Sequence, residues 1–321
     1  MVHADARSRS RAAAMVALPA LAGALLLSGC DKNGTGGSAA AASTQTGAVA
    51  HGGYVALGDS YTAGPDIPDQ TGDPVGCERS SENYPSDLAQ ALGLERSQFT
   101  DVSCTGATIS DLMSAQSTKN GVNSAQLGAL SADDAIVTIG IGGNDVDFAG
   151  VLTRCVEMDI APSLIGSWAA DSTPCEAYYT SGGTNELDEK IDTAAANLAT
   201  ALKQVRQRAP HARVYVVGYP ALLPSSGTSC VHALGITSGD VAFLNQEEKR
   251  LNSMLRTQAH AAGDVYVDTY SPSQGHDTCS DADTRWIEPL IPASPAARLH
   301  PNARGEQGMA DAVLAAIKST S

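Results

Sequence analysis

The sequence is poor in aromatic residues, in basic residues and in long uninterrupted hydrophobic runs. Phe, Trp and Tyr make up 4% of the 321 residues, and 20 Lys and Arg stand against 35 Asp and Glu, which gives a net charge of −15. Proteins that bind nucleic acid present a basic surface, so this acidic excess argues against that class. It also argues against simple electrostatic attraction to anionic lipids. Neutral partners are therefore expected.

Two metal-binding patterns are absent as well. Neither C-x-x-C nor H-x-x-x-H, spacings that are typical of zinc sites, occurs in the chain. An acidic stretch with Asp277, Asp281 and Asp283 lies next to His276, but its spacing misses the EF-hand pattern and the terminal Glu of that pattern. We interpret it as a solvated acidic loop. No metal or organic cofactor is expected.

The N-terminus has the pattern of an export signal. Three arginines precede an apolar stretch at 12–27, which is interrupted by a proline and a glycine and is too short for a comfortable membrane span. The stretch ends in L-S-G-C at 27–30, which resembles a bacterial lipobox. The resemblance implies cleavage before Cys30, acylation of that cysteine, and an anchor on the outer face of the cytoplasmic membrane. The alternative is an ordinary secretory signal with an incidental cysteine, and hence a secreted protein.

Composition divides the chain into three parts. Residues 1–29 form the predicted signal peptide. Residues 30–51 are rich in Gly, Ala, Ser and Thr with almost no large apolar residue, so they are predicted to be a flexible tether. Residues 52–321 fit one large α/β domain without internal repeats. Loss of 1–29 removes three Arg and one Asp, which leaves 17 basic and 34 acidic residues and a net charge of about −17.

Six cysteines follow Cys30, and an even number in an exported chain suggests three disulfides. Several connectivities are possible for six cysteines, and we expect neighbours along the chain to pair. The expected pairs are Cys77 with Cys104, Cys155 with Cys175, and Cys230 with Cys279.

Short apolar runs alternate with longer amphipathic patterns after residue 52. The runs have strand character, and the patterns repeat apolar residues every three or four positions, as helices do. Strands that alternate with helices indicate a parallel sheet covered on both faces. The stretch 156–184 is less regular and is predicted to be a loop-rich excursion. The predicted strands are 54–57, 99–102, 136–141, 213–218 and 264–267, and the predicted helices cover 187–205, 240–260 and 309–317.

The most informative segment is the first strand-like run, which leads into G-D-S-Y at 58–61. A serine at the end of a parallel strand lies where open α/β sheets have their active sites. Its hydroxyl is unreactive at neutral pH unless a base removes the proton, and a histidine, with a pKa of about 6.5, suits that task. Of the seven histidines, His300 precedes Pro301 and a helix start beyond the last strand, which returns it to the edge that carries Ser60.

The motif G-D-S-Y occurs together with I-G-I-G-G-N-D at 139–145 and L-H-P-N at 299–302. No complete G-x-S-x-G is present and the serine follows the first strand, which disfavours an α/β-hydrolase. In this order the motifs resemble the SGNH (GDSL-type) esterase and lipase family, particularly its exported actinobacterial members. The resemblance runs from about Tyr54 to the C-terminus. It implies a flavodoxin-like three-layer α/β/α sandwich with a central parallel sheet.

The resemblance also implies roles for individual residues. Ser60 matches the nucleophile of the family and His300 its general base. The backbone N–H groups of Ser60 and Gly106 and the side-chain amide of Asn144 match its oxyanion hole, whose donors stabilise charge that develops during acyl transfer. The implied reaction is hydrolysis of a carboxylic ester through an acyl-enzyme on Ser60.

The chain departs from the family at one position. The usual final motif is Asp-x-x-His, and here Ala297 stands three residues before His300. Because the imidazole needs an acceptor and not necessarily a charge, we expect the Ala297 backbone carbonyl to orient it. Alternatives are a carboxylate from Asp281 or Asp283, or a weak or inactive enzyme.

The same catalytic set serves several substrates, since specificity resides in loops. The expected substrate is therefore an acyl ester, a lipid or an acetylated glycan, and the protein is expected to be a monomer. Polysaccharide deacetylation and phospholipase A-type cleavage remain alternatives within this reaction class. A surface-anchored binding protein without turnover is the alternative outside it.

Overall fold

The computed structural model describes residues 52–164, 171–226 and 234–320, and side chains 161–164 are left out of the description. Its centre is a parallel sheet whose strand order is β2-β1-β3-β4-β5. This is the order of flavodoxin-like folds, in which the chain reverses direction across the sheet between β1 and β3. The strands are β1 (Gly53–Gly58), β2 (Phe99–Asp101), β3 (Asp134–Gly140), β4 (Arg213–Val217) and β5 (Val265–Val267).

Side chains of the central strands alternate between two hydrophobic cores. Val55 and Leu57 of β1 pack into one core, whereas Tyr54 and Ala56 pack into the other. All four are buried, because successive side chains of a strand point to opposite faces and both faces are covered. The predicted three-layer parallel architecture is therefore confirmed. Each predicted strand of the sheet lies within two residues of its observed position.

Helices cover both faces of the sheet. One face carries two long helices that pack against each other, and the other carries the C-terminal helix packed against a helix that precedes β2. The helices, in chain order, are α1 (Ser60–Ala63), α2 (Tyr84–Ala91), α3 (Ile109–Met113), α4 (Gly143–Val146), α5 (Phe148–Leu164), α6 (Pro174–Tyr179), α7 (Glu186–Arg208), α8 (Ser238–Ala262) and α9 (Ala303–Thr320). Two short antiparallel pairs, Gln70–Thr71 with Arg79–Ser80 and Gln116–Thr118 with Gly121–Asn123, flank the sheet and were not predicted.

The predicted loop-rich excursion at 156–184 is wrong over much of its described length. Helix α5 extends to Leu164 and α6 covers Pro174–Tyr179. Asp240 fastens this region to α8, since its carboxylate accepts the N–H groups of Cys175 at 2.9 Å and Glu176 at 3.0 Å. Two prolines and two adjacent glycines suggested irregular structure, but packing against α8 stabilises helix here instead.

Two predicted disulfides are present, Cys77–Cys104 and Cys155–Cys175. Cys279 is disulfide-bonded too, and its predicted partner Cys230 lies outside the described residues. The predicted signal peptide at 1–29 and the tether at 30–51 also lie outside them. Among the helices that the structure describes, none combines the length and the apolar character that a membrane crossing requires.

Candidate active site

The serine turn begins where β1 leaves the sheet. The Asp59 N–H donates to the Gly140 carbonyl at 2.9 Å, which holds the end of β1 against β3. The Asp59 side chain then caps α1 by accepting the Tyr61 N–H at 2.9 Å. Ser60 is thereby the first residue of α1, at the carboxyl edge of the sheet. A Cβ at Gly58 would lie 2.7 Å from the Gly140 carbonyl oxygen, so this close approach requires glycine.

His300 faces Ser60 across this edge. Its Nε2 lies 2.7 Å from Ser60 Oγ, and its Nδ1 lies 2.7 Å from the Arg298 carbonyl oxygen. A carbonyl can only accept a hydrogen bond, so Nδ1 carries the proton of the neutral ring. The lone pair of Nε2 is then available to the Ser60 hydroxyl, which donates. This is the tautomer that a general base requires.

The acceptor for Nδ1 differs from the predicted one. The Ala297 carbonyl accepts the His300 backbone N–H at 3.2 Å, and it is the Arg298 carbonyl that meets the ring. Leu299, between Arg298 and His300, adopts a left-handed conformation with φ of 60°, a local turn that sequence spacing does not reveal.

The two alternative carboxylates do not replace that carbonyl. Asp281 and Asp283 are exposed, and in the described part of the chain neither side chain has a hydrogen bond or ion pair with His300. The Asp281 backbone carbonyl instead closes a turn by accepting the N–H groups of Thr284 and Arg285. The acceptor of the imidazole N–H is thus a backbone carbonyl rather than either carboxylate.

Two of the predicted oxyanion donors, Asn144 and Gly106, lie in turns that are held near this edge. The Asn144 amide donates to the Ala107 carbonyl at 2.9 Å, which fixes the side chain and leaves its second N–H unused by this bond. Gly106, in the adjoining turn, has φ of 77°, a conformation that favours glycine. The Cys104 N–H donates to the Gly58 carbonyl at 3.0 Å, so this turn is held beside β1.

A cavity of about 60 Å³ opens beside Ser60 and His300. Asn144 contributes to its wall, whereas Gly106 does not. The remaining wall is largely apolar and aromatic, which suits the acyl or alcohol part of an ester. The apolar and aromatic lining residues are Tyr61, Phe148, Ala149, Tyr219, Leu222, Leu251 and Leu299.

Burial changes the acidity of three groups at the site. It raises the pKa of Asp59 to about 7, although hydrogen bonds from Tyr219 and the Tyr61 N–H oppose the shift. It lowers the pKa of His300 below its ordinary 6.5, with the Arg298 carbonyl opposing. It raises the pKa of Glu248, another residue of the cavity wall, well above its ordinary value. His300 is therefore neutral, and able to accept a proton, at neutral pH.

The sequence interpretation missed the tyrosines of this site. The Tyr61 hydroxyl donates to the Leu299 carbonyl at 2.6 Å, and its ring lies 5.0 Å from that of His300. The Tyr219 hydroxyl donates to Asp59 Oδ2 at 2.5 Å. A signal for Tyr219 was available, because it follows β4 at the edge where parallel strands end and sites form.

The described residues hold no group of three or more His, Cys, Asp or Glu side chains that could bind a metal ion. The polar groups that meet at this site are the Ser60 hydroxyl, the His300 imidazole and the Asn144 amide. A serine that donates to a neutral histidine beside a mostly apolar cavity is the arrangement of serine hydrolases.

Comparisons with known proteins agree with this class. Lipase 2 of Streptomyces coelicolor is 39% identical over 260 residues, which cover 80% of this chain and 83% of the relative. The crystal structure of phospholipase A1 from Streptomyces albidoflavus NA297 is similar with a TM-score of 0.66 and 30% identity, over 83% of this chain and 99% of that one. The extracellular lipase of Streptomyces rimosus gives a TM-score of 0.67 and 26% identity over the same shares of both chains.

Residues 56–307 match the GDSL-like Lipase/Acylhydrolase family, and the chain belongs to that family. It is a carboxylic ester hydrolase of the lipase and esterase type. The predicted family and reaction class are thereby confirmed.

Proposed function

We propose that this protein cleaves acyl esters of lipids with Ser60 as nucleophile and His300 as general base. The Arg298 carbonyl orients the imidazole, so a dyad with a backbone acceptor replaces the triad. Ser60 N–H, Gly106 N–H and the Asn144 amide form the oxyanion hole. The observation that carries the proposal is the 2.7 Å contact between His300 Nε2 and Ser60 Oγ, with the ring proton held on Nδ1.

The proposed reaction has two halves. In the first, Ser60 Oγ attacks the ester carbonyl carbon while Nε2 of His300 takes the hydroxyl proton, and the oxyanion donors stabilise the tetrahedral intermediate. The intermediate collapses as His300 returns that proton to the leaving alcohol. In the second half His300 deprotonates a water molecule, which attacks the acyl carbonyl carbon. This intermediate collapses as His300 returns the proton to Ser60 Oγ, which releases the acid and the free serine hydroxyl.

Lipid esters are the proposed substrates because the cavity wall is mostly apolar. Phe148, Leu222 and Leu251 offer an acyl chain hydrocarbon contacts, and Tyr61 and Tyr219 add aromatic surface. The named activities of two relatives, a lipase and a phospholipase A1, support the same choice.

A panel of esters tests this function. Protein starting at Gly52 is assayed on p-nitrophenyl esters from acetate to palmitate, on phosphatidylcholine micelles and on an acetylated polysaccharide. We expect hydrolysis of long-chain and phospholipid esters, and a loss of several orders of magnitude in Ser60→Ala. Activity confined to the acetylated polysaccharide would contradict the substrate assignment, and full activity in Ser60→Ala would contradict the mechanism.

We further propose that the enzyme is exported and anchored through Cys30, with 30–51 as tether and 52–321 as the catalytic domain. The lipobox-like L-S-G-C at 27–30 supports the anchor, and the extracellular location of the relative from Streptomyces rimosus supports export. Mass spectrometry of the membrane fraction should find an acylated Cys30 at the mature N-terminus. Cells that produce the Cys30→Ser variant should lack this modified N-terminus. An unmodified wild-type N-terminus at any other residue would contradict the anchor.

A further inference from the structure

The hydroxyl group of Tyr219 joins the two turns that carry Ser60 and Asn144. It donates to Asp59 Oδ2 at 2.5 Å and accepts the Gly143 N–H at 2.7 Å. Asp59 directly precedes Ser60, and Gly143 directly precedes Asn144. One hydroxyl therefore connects the residue before the nucleophile with the residue before the oxyanion donor.

Tyr219 is itself fixed at its backbone and its ring. Its N–H donates to Asn252 Oδ1 at 2.8 Å, and Asn252 Nδ2 donates back to its carbonyl at 3.0 Å. Asn252 lies on α8, so a long helix sets the position of the tyrosine backbone. The ring meets Tyr61 edge to face at 5.2 Å between centroids. The Asn252 bonds anchor the Tyr219 backbone to a helix outside both turns, whereas the Tyr61 ring belongs to the serine turn itself.

The contact between Tyr219 and the Asn144 turn is close. A Cβ on Gly143 would lie 3.1 Å from both Cζ and the hydroxyl oxygen of Tyr219, so even alanine would press on the ring. At the opposite turn Asp59 is buried, with 1% of its surface exposed. Loss of this hydroxyl removes the donor to Asp59 Oδ2 and the acceptor of the Gly143 N–H, while Asp59 Oδ1 keeps the Tyr61 N–H.

We propose that Tyr219 is a positioning residue that sets the distance between the Ser60 nucleophile and the Asn144 donor. The proposal rests on the proposed function, because it takes the roles of Ser60 and Asn144 from it. Oxyanion donors must lie about 2.7–3.1 Å from the oxygen that gains charge, so a small shift of one turn weakens transition-state stabilisation. Apolar contacts of the bound acyl chain tolerate the same shift. The effect of Tyr219 therefore falls on kcat rather than on KM.

Tyr219→Phe tests this, because it removes the hydroxyl and keeps the ring. Tyr54→Phe is the matched control: its hydroxyl is also buried and lies 2.9 Å from Thr138 Oγ1, but it packs in the other core. We expect kcat on a p-nitrophenyl ester to fall by about 10- to 100-fold in Tyr219→Phe, as for a small misplacement of reacting groups. KM should stay within about threefold, and Tyr54→Phe should keep kcat within about twofold.

Gly143→Ala is a second variant, which retains the hydroxyl but displaces it from the turn. It should show the same fall in kcat with little change in KM, and it keeps the test valid if Tyr219→Phe does not fold. Thermal unfolding of every variant distinguishes a protein that no longer folds from a folded protein in which the Ser60 and Asn144 turns have shifted.

Three results would overturn the inference: an unchanged kcat in Tyr219→Phe, a loss confined to KM, or an equal loss in Tyr54→Phe. Ser60→Ala, measured in parallel, distinguishes failure of the inference from failure of the proposed function. If Ser60→Ala is inactive while Tyr219→Phe is fully active, only the positioning role is wrong. If Ser60→Ala retains activity, the proposed function is wrong as well.

Discussion

Ser60 and His300 meet at 2.7 Å, yet different kinds of structure bring them there. Ser60 follows a strand that pairs with neighbours on both sides, and a capped helical turn begins at the serine itself. His300 lies near the end of the irregular segment 268–302, between β5 and α9. Regular backbone hydrogen bonds thus position the serine, and individual loop contacts position the histidine.

The segment 268–302, the histidine loop, is held by the Tyr61 hydroxyl at the Leu299 carbonyl, by the Glu288 carboxylate and by backbone hydrogen bonds. Glu288 is fully buried, and its carboxylate accepts the Asn302 amide at 2.7 Å and the N–H groups of Ala293 and Ser294 at 2.8 and 3.2 Å. The backbone of Glu288 also pairs with that of His300, because the Glu288 N–H donates to the His300 carbonyl at 2.9 Å. These bonds lower the pKa of Glu288, against the effect of its burial. The Glu288 carboxylate thus positions the segment that carries His300, whereas strand pairing positions Ser60.

This difference shows that a short motif locates a side chain only where regular secondary structure fixes the backbone around it. A serine after a paired strand has its direction fixed by sheet geometry, so its role follows from position. A histidine in an irregular segment depends on contacts that lie far apart in sequence.

Removing the histidine should give the largest loss. We expect His300→Ala to lower kcat/KM on a p-nitrophenyl ester by about 10³-fold or more, since the proposed general base disappears. His276→Ala is the matched control, because His276 lies in the same irregular segment and also has Nδ1 on a backbone carbonyl, that of Thr284 at 2.7 Å. Its activity should stay near wild type. Equal losses in both variants would mean that the loop, not the base, was damaged.

Removing the Asn144 amide should cost kcat about 10²–10³-fold, as expected for one oxyanion donor. Asn185→Ala serves as control, since Asn185 caps the remote helix α7 by accepting the Leu187 N–H at 3.0 Å. The control should lose about 0.5–2 kcal/mol of stability and no activity. An Asn144→Ala enzyme with wild-type kcat would remove Asn144 from the oxyanion hole.

Glu288→Gln should reduce activity by about tenfold and stability by about 1–3 kcal/mol, because an amide group faces donors that need an acceptor. The pH dependence of stability gives a sharper readout. The lowered pKa of Glu288 contributes stability that is present above its ordinary value of 4.5 and is lost as pH falls through the lowered pKa. Urea unfolding between pH 3 and 6 should show this acid-side loss in the wild type, and a smaller one in Glu288→Gln.

Exposed Glu82→Gln is the control for that experiment. It should leave both the activity and the acid-side slope of stability near those of the wild type. An identical slope in Glu288→Gln and in the wild type would contradict the role of Glu288 in holding the histidine loop.

Arg298→Ala should have the smallest effect, within about twofold in kcat/KM. The group that meets His300 is the backbone carbonyl of residue 298, which alanine keeps, and the arginine side chain is exposed. Steady-state kinetics on the same ester measure it. A large loss in kcat/KM would show that the Arg298 side chain takes part in catalysis. That would contradict the role given to its backbone carbonyl alone.

The sequence predicted best the features that follow from regular secondary structure. The five strands of the sheet, the long helices α7 and α8, and the edge positions of Ser60 and Asn144 follow from periodicity and motif order. The serine and histidine roles stay predictions until variants are measured.

The edge position of Tyr219 could be inferred from the sequence, but its hydrogen bonds could not. They depend on contacts across long separations, and the turn at Leu299 depends on a local backbone conformation. Tyr219 meets Asp59 across 160 positions, and Asp240 holds Cys175 across 65. The left-handed Leu299, which turns the Arg298 carbonyl rather than that of Ala297 toward His300, is a local choice without a sequence signature such as glycine.

The most direct test of the central claim is covalent labelling with a fluorophosphonate, followed by peptide mass spectrometry. The reagent reacts with an activated serine hydroxyl and releases fluoride. We predict one adduct per molecule, on the peptide that contains Ser60, with loss of esterase activity in proportion to labelling and no adduct in Ser60→Ala. An adduct on another residue, or full activity after complete labelling of Ser60, would contradict the account.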